Sequence, residues 1–200
     1  MKQIIGLAVI IGTVFGAAPS AQSADGPWMV RGRLVEFQPA NAQDPALGVV
    51  VEDKAFPEVD ITYFFSKNIA AELILTYPQT RGVTVNGTNI GSVKALPPTL
   101  TVQYHFRPDA IFRPYVGVGV NYTLFSSVNL AGGAIDIDRS SVGPSFQVGW
   151  DVKMENAWFL NFDIKKIYVK TDVKDAATGN KLTTLHIDPV VIGFGVGYRF

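Results

Sequence analysis

The sequence predicts an all-β protein: an eight-stranded antiparallel transmembrane β-barrel with long extracellular loops and short periplasmic turns. Three observations predict it. Apolar and polar residues alternate along eight separate segments, the period of a strand with two different faces. The connections between those segments are short and long in turn, as in a barrel whose two ends meet different compartments. The first residues read as an export signal.

That signal comes first in the chain. Lys2 supplies a positive charge, Ile4 to Phe15 an apolar run, and "GAAPSAQSADG" the small residues of a cleavage site. Residues 1–24 are read as a signal peptide, cut after Ser23 or Ala24, and residues 25–200 as the barrel. No Cys follows the apolar run, so a lipoprotein anchor is not expected. With no Cys anywhere, a disulfide framework is excluded. Seventeen basic residues balance 17 acidic ones, which gives no pull toward nucleic acid. After the signal no apolar run reaches the ~20 residues of a spanning helix.

The strands follow in order. The first, 28–37, sets Trp28, Val30 and Leu34 against Arg31 and Arg33. The second, 57–66, sets Val59, Ile61, Tyr63 and Phe65 against Glu58, Asp60 and Thr62. The third, 69–77, sets Ala71, Leu73, Leu75 and Tyr77 against Glu72, Ile74 and Thr76. The fourth, 99–106, sets Leu100, Val102, Tyr104 and Phe106 against Thr99, Thr101, Gln103 and His105. The fifth, 114–124, sets Val116, Val118, Val120, Tyr122 and Leu124 against Gly117, Gly119, Asn121 and Thr123. The sixth, 141–152, sets Val142, Phe146, Val148, Trp150 and Val152 against Ser145, Gln147, Gly149 and Asp151. The seventh, 157–170, sets Trp158, Leu160, Phe162 and Ile164 against Asn161, Asp163 and Lys165. The eighth, 189–200, sets Val190, Ile192, Phe194, Val196, Tyr198 and Phe200 against Gly193, Gly195, Gly197 and Arg199. "SKN", "RPDAIFR" and "KMEN" make the short turns. Segments such as "QPANAQDPALGVVVEDKAF" and "KDAATGNKLTTLH" make the long loops.

Alternation alone also fits a soluble barrel with its apolar face inward. Three features turn that face outward. Arg31, Arg33, Glu58, Asp60, Glu72, Asp151, Asp163, Lys165 and Arg199 all share the other face, where they can pair; on the lipid side Arg or Lys costs ~2–4 kcal/mol near the midplane. Aromatic residues gather near strand ends: Trp28, Phe65, Phe106, Trp158, Tyr198 and Phe200 at the short-turn end, Tyr77, Tyr122 and Phe125 at the other. Such girdles suit the headgroup layers. The export signal then places the chain outside the cytoplasm. Eight strands leave a lumen just wide enough for side chains, so its charges pack as a network.

No constellation for catalysis stands out. His105 and His186 lie far apart, with no Cys and no ligand spacing, so neither a metal nor another cofactor is expected. His105 is assigned to the lumen network. His186 and Asp188 in "LHIDP", with a loop serine, could only imitate a hydrolytic site, and the chain is read as a non-enzyme. The Asn-x-Thr triplets at Asn86 and Asn121 are chance matches, and Asn121 is expected in the lumen. "GVGV" and "GFGVG" are strand glycines with no helix after them, not phosphate loops. Pro78, Pro97 and Pro98 lack the N–H that a ladder needs. They either open a lateral gap between the third and fourth strands or simply end those strands.

Several stretches resemble the outer membrane protein W family: "NIAAELILTYP" (68–78), "LPPTLTVQYHF" (96–106), "FRPYVGVGVNYTLF" (112–125), "SFQVGWD" (145–151), "WFLNFDIKKIYVKTD" (158–172), "IDPVVIGFG" (187–195) and "FGVGYRF" (194–200). The match runs in order through nearly the whole exported chain and is weakest at 38–56. The family includes members associated with uptake of alkanes and aromatic hydrocarbons. The resemblance implies a Gram-negative outer-membrane barrel, both termini periplasmic, with a narrow, partly apolar channel. Small hydrophobic molecules would pass through it and could leave sideways into the bilayer. Expected partners are outer-membrane lipid and lipopolysaccharide, small hydrophobic ligands and, during insertion, the barrel-assembly machinery, which reads a terminal pattern like that of Phe194, Tyr198 and Phe200.

The resemblance places Ile74 at a lumen position that is apolar in the family. It places Lys165 where some members carry a bulky aromatic, a departure that argues against a wholly apolar gate. Glu72, Gln103, His105 and Arg33 complete the candidate lining. Leu47, Val49, Val50, Val51 and Phe56 either form an entrance or pack the first loop against itself. The rival function is a surface barrel without transport, acting through its loops in stress tolerance or as a phage or bacteriocin receptor.

Overall fold

The structure, a computed structural model, describes residues 26–200; the expected signal peptide at residues 1–24 lies outside the described residues. Eight strands form the wall: β1 (Trp28–Gln38), β2 (Lys54–Phe64), β3 (Ile69–Leu75), β4 (Thr99–His105), β5 (Phe112–Leu130), β6 (Ser140–Lys153), β7 (Trp158–Ile167) and β8 (Val190–Arg199). Each pairs antiparallel with its neighbours, and β8 pairs with β1 from Arg199↔Met29 to Val190↔Gln38, which closes the barrel. Closure leaves the wall no edge strand, the condition for a sheet that crosses lipid.

Alternation sorts the faces as the residues predict. Leu34, Val59, Leu100, Val118, Phe146 and Phe194 are exposed on the outside, while Arg31, Arg33, Asp60, Glu72, Asp151, Asp163 and Lys165 are buried inside. Rings meet on the outer face near the short turns, Trp28 with Tyr63 at 4.7 Å and Trp158 with Tyr198 at 5.1 Å between centroids. Phe125 is a correction. It is buried within the barrel and does not join the outer girdle. Tyr122 and Leu124 point outward, so a strand that continues past 124 must turn Phe125 in.

The long connections are largely strands themselves. Val49–Val51, Gln79–Val85, Thr88–Leu96, Ile135–Ile137, Lys170–Asp175 and Lys181–His186 carry the sheet beyond the eight-stranded wall, and Ala42–Asp44 ends one edge of it. Asn86 and Gly87, both at positive φ, turn the hairpin between Gln79–Val85 and Thr88–Leu96, the two-residue turn that Asn-Gly favours. Where Ala42–Asp44 meets Val49–Val51, side chains replace the ladder. The Asn41 amide accepts from Val51 N at 2.9 Å and donates to Val51 O at 3.1 Å; the Gln43 amide accepts from Val49 N at 3.0 Å and donates to Val49 O. Val49, Val51, Val83, Val93, Leu130, Val173 and Leu185 form an apolar core inside this extension.

Near that end the wall is interrupted between β3 and β4, and also beyond Ser145↔Ile167 of the β6–β7 ladder, where the next pairing is Ile137↔Val173. The β3–β4 ladder stops at Ile74↔Thr99, and pairing resumes only at Gln79↔Ala95. On the other side β3 leaves β2 at Leu75↔Val59, although β2 continues to Lys54. Thr76, Tyr77 and Pro78 thus take part in no ladder on either side, and Pro97 and Pro98 face the same interruption. The prolines do end the strands, and they do so opposite one another.

Candidate functional site

The lumen has three layers. At the short-turn end Met29, Phe64, Ala70 and Phe159 pack together, with Arg199 3.8 Å above the Phe64 ring and His105 between Phe64 and Tyr115. Above this cap lies an ionic floor. Arg31 binds Asp60 at 3.1 Å and Asp151 at 2.9 Å. Arg33 reaches Glu58 at 2.9 Å, Asp60 at 2.8 Å and Glu72 at 2.6 Å. Lys165 reaches Glu58 at 2.5 Å and Asp163 at 3.4 Å. Asn161 ties the cluster together, accepting from Arg33 Nε at 2.7 Å and donating to Asp151 Oδ1 at 2.8 Å and to the Tyr115 hydroxyl at 3.0 Å. A chain of amides completes it: His105 Nε2 lies 3.1 Å from Gln103 Oε1, Gln103 donates to Gln147 at 3.2 Å, and Gln147 donates to Asp163 at 2.6 Å. A buried charge left without a partner costs several kcal/mol, so such a floor holds together as a unit.

Above the floor the lumen turns apolar. Phe37, Phe56, Ile74, Phe125, Ile167, Val191 and their neighbours enclose a chamber of about 790 Å³ of empty space, its open mouth included. Glu58 and Lys165 form its base, and Thr76, Gln79, Pro97 and Thr99 its side at the interrupted ladder. A second apolar compartment continues toward the loop tips, sharing Val51, Val93 and Phe125 with the first.

Of the sequence candidates, Ile74 and Lys165 lie on this chamber, whereas Arg33, Glu72, Gln103 and His105 are packed into the floor or against the cap beneath it. Asn121 is buried in the lumen and holds Thr99 Oγ1 at 2.8 Å. Val51 and Phe56 line the chamber, Leu47 and Val49 the second compartment, and Val50 is exposed. His186 Nδ1 and Asp188 Oδ2 are 3.7 Å apart on the loop extension. Reading strand by strand misses Phe37, Arg81 and Phe125. Phe37 follows from the parity of Arg31, Arg33 and Val35. Arg81 lies in a segment that reads as loop, where parity has no meaning.

A barrel with an apolar outside, an ionic floor and an apolar chamber matches known proteins along its length. The OmpW family model matches residues 24–200. The chain belongs to the OmpW family. It is therefore a relative of outer-membrane proteins, and its apolar outer face is the face that meets lipid. The chain is 42% identical over 183 residues to the uncharacterized outer-membrane protein y4mB of Sinorhizobium fredii, covering 87% of this chain and 80% of that one. It is 29% identical over 147 residues to the dibenzothiophene metabolism operon protein PahQ of Pseudomonas aeruginosa, covering 70% and 69%. Among solved structures, the crystal structure of the outer membrane protein OprG of Pseudomonas aeruginosa is similar at a TM-score of 0.74 and 27% identity, covering 88% of this chain and 96% of OprG. The OmpW-family match includes the loop extension that encloses the chamber.

Proposed function

We propose that this OmpW-family barrel gives small hydrophobic molecules passive passage across the outer membrane. The long-loop end faces outward, and both termini lie on the periplasmic side. A molecule enters among the loop strands, settles in the chamber and leaves sideways where Thr76–Pro78 and Pro97–Pro98 interrupt the wall. One observation carries this reading: the lumen changes from ionic to apolar at the level where the ladder breaks. An apolar solute would have to desolvate a packed charge network to continue down the axis. The side exit leads instead to hydrocarbon, where such a solute is stable. A relative named for a dibenzothiophene operon supports an apolar cargo. Nothing in this route needs bond chemistry or a cofactor.

Lipopolysaccharide would surround the aromatic belt at the loop end. The outward side chains of Phe194, Tyr198 and Phe200 would meet the assembly machinery during insertion.

Purified barrel in proteoliposomes tests the passage. Entry of an apolar dye should be faster than into protein-free vesicles. Ile74→Arg, which puts a charge beside the exit, should slow it while the barrel stays folded. Equal entry in all three preparations would remove the transport reading and favour a surface barrel that acts through its loops.

A further inference from the structure

Glu58 and Lys165 form the charged base of the chamber, and a further group of polar side chains lies at the interrupted wall. There Gln79 and Arg81, alternate residues of the strand Gln79–Val85, both turn inward. Arg81 is 5% exposed, and its guanidinium carbon lies 4.1 Å from the centre of the Phe37 ring and 5.1 Å from that of Phe56. Two rings hold the cation in place, yet Arg81 Nη1 has no hydrogen-bond partner, and neither has Gln79 Oε1. The Gln79 amide nitrogen donates to Tyr77 O at 3.1 Å, which orients its free oxygen. Lys165, the other cation on the chamber, is held by Glu58 and Asp163.

A buried charged donor without a partner costs more than the ~1–3 kcal/mol of a neutral one. Aromatic faces soften that cost through the ring quadrupole but supply no acceptor lone pair. Burial pulls the Arg81 guanidinium down to about 10, against the pull of the Asp53 charge. It therefore remains a cation at neutral pH. An acceptor bearing a negative charge is the group this site lacks.

We propose that the chamber takes apolar anions, molecules with a carboxylate head and a hydrocarbon or aromatic body, and that Arg81 binds the head. This rests on the passage reading above and names the class of cargo. The carboxylate accepts from Nη1 beside Phe37 and Phe56. The body lies across Ile74 and Phe125 toward the interrupted wall. Arginine suits the task because its planar fork binds a carboxylate while its faces stay on the rings.

The test compares decanoate with decanol, equal in chain and different in head, for binding to the full barrel in nanodiscs, with protein-free nanodiscs as the blank. The native barrel should bind decanoate more tightly than decanol. Arg81→Met should weaken decanoate about tenfold and leave decanol unchanged, the loss of one charge-assisted hydrogen bond. Arg81→Lys should retain part of the preference. If both ligands bind native barrel equally, or if Arg81→Met weakens both alike, the anion site is overturned while passage of apolar molecules stands. If neither binds and neither enters proteoliposomes, the passage reading falls and the anion site with it. The native comparison needs no variant, so it decides the matter even if Arg81→Met misfolds.

Discussion

Arg31 and Asp151 are joined twice across the lumen, Nε to Oδ1 at 3.2 Å and Nη2 to Oδ2 at 2.9 Å, with both side chains shut off from solvent. This fork links β1 to β6, strands that share no ladder. Asp151→Leu would leave Arg31 buried with half its hydrogen bonds gone. We expect a loss of about 3–5 kcal/mol, the cost of breaking a buried pair. The double variant Arg31→Met/Asp151→Leu should recover much of it, because it removes both charges. Urea titration of the barrel in lipid vesicles measures both. A single-variant loss under ~1 kcal/mol would mean the floor is not a cooperative unit.

Gly195 and Gly32 give a paired test of how closely the wall packs. A Cβ on Gly195 would lie 2.0 Å from Gly32 O and 2.7 Å from Arg33 Cα, backbone atoms that cannot swing away. One on Gly32 would meet nothing within 4 Å. Gly195→Ala should therefore cost about 1–3 kcal/mol by overpacking. Gly32→Ala should stay within about 0.5 kcal/mol of native or improve on it. Unfolding midpoints for the two variants check the contrast, and equal midpoints would refute it.

Which parts are legible in the sequence follows from where the period of two carries information. Val118, Phe146, Arg33 and Asp163 announce their faces because lipid and lumen demand opposite chemistry there. Above Ile74 the lumen is apolar too, so beyond Leu124 the inward side of β5 carries Phe125, Val128 and Leu130 and the outward side Ser126, Ser127 and Asn129. The sense of the alternation reverses, and aromatic character alone puts Phe125 on the wrong face. Composition also hides the loop strands, since Gly, Asn and Thr suit turns and edges equally. One signal is present and easily passed over: Asn86-Gly87 reads as part of a chance glycosylation triplet, although Asn-Gly between alternating residues marks a hairpin. The amides of Asn41 and Gln43 that stand in for a ladder have no local signature, because their partners are set by tertiary placement.

Val118 tests the outer face directly. It is exposed midway along β5, flanked by Val102 on β4 and Phe146 on β6. Val118→Arg should cost ~2–4 kcal/mol, whereas Phe65→Arg, at the short-turn rim, should cost ~0–1 kcal/mol. Folding into vesicles of defined thickness, followed by tryptophan fluorescence in urea, measures the difference. Equal costs at the two depths would contradict a hydrocarbon layer centred on Val118.

The loop extension should respond to pH. Asp172 accepts from Lys181 Nζ at 2.9 Å and from Thr184 Oγ1 at 2.8 Å, linking Lys170–Asp175 to Lys181–His186. The Lys181 hydrogen bond, then that of Thr184, holds the Asp172 carboxyl below its usual range. A carboxyl depressed on folding stabilises above its unfolded pKa, ~3.9, and loses that contribution as pH falls through the folded value. Lys174 works in the opposite sense. Its bond to Asp138, 2.5 Å long, raises it, so its contribution is complete below the unfolded value of ~10.4 and lost as pH rises through the folded one. These strands should therefore be best protected between the two limits, and less so at high salt, which screens exposed pairs. Amide exchange protection of residues 170–175 and 181–186, read by NMR across pH, checks the window. Lys181→Met should flatten the acid limb and leave the alkaline limb in place; an acid limb unchanged in Lys181→Met would assign the titration to another carboxylate.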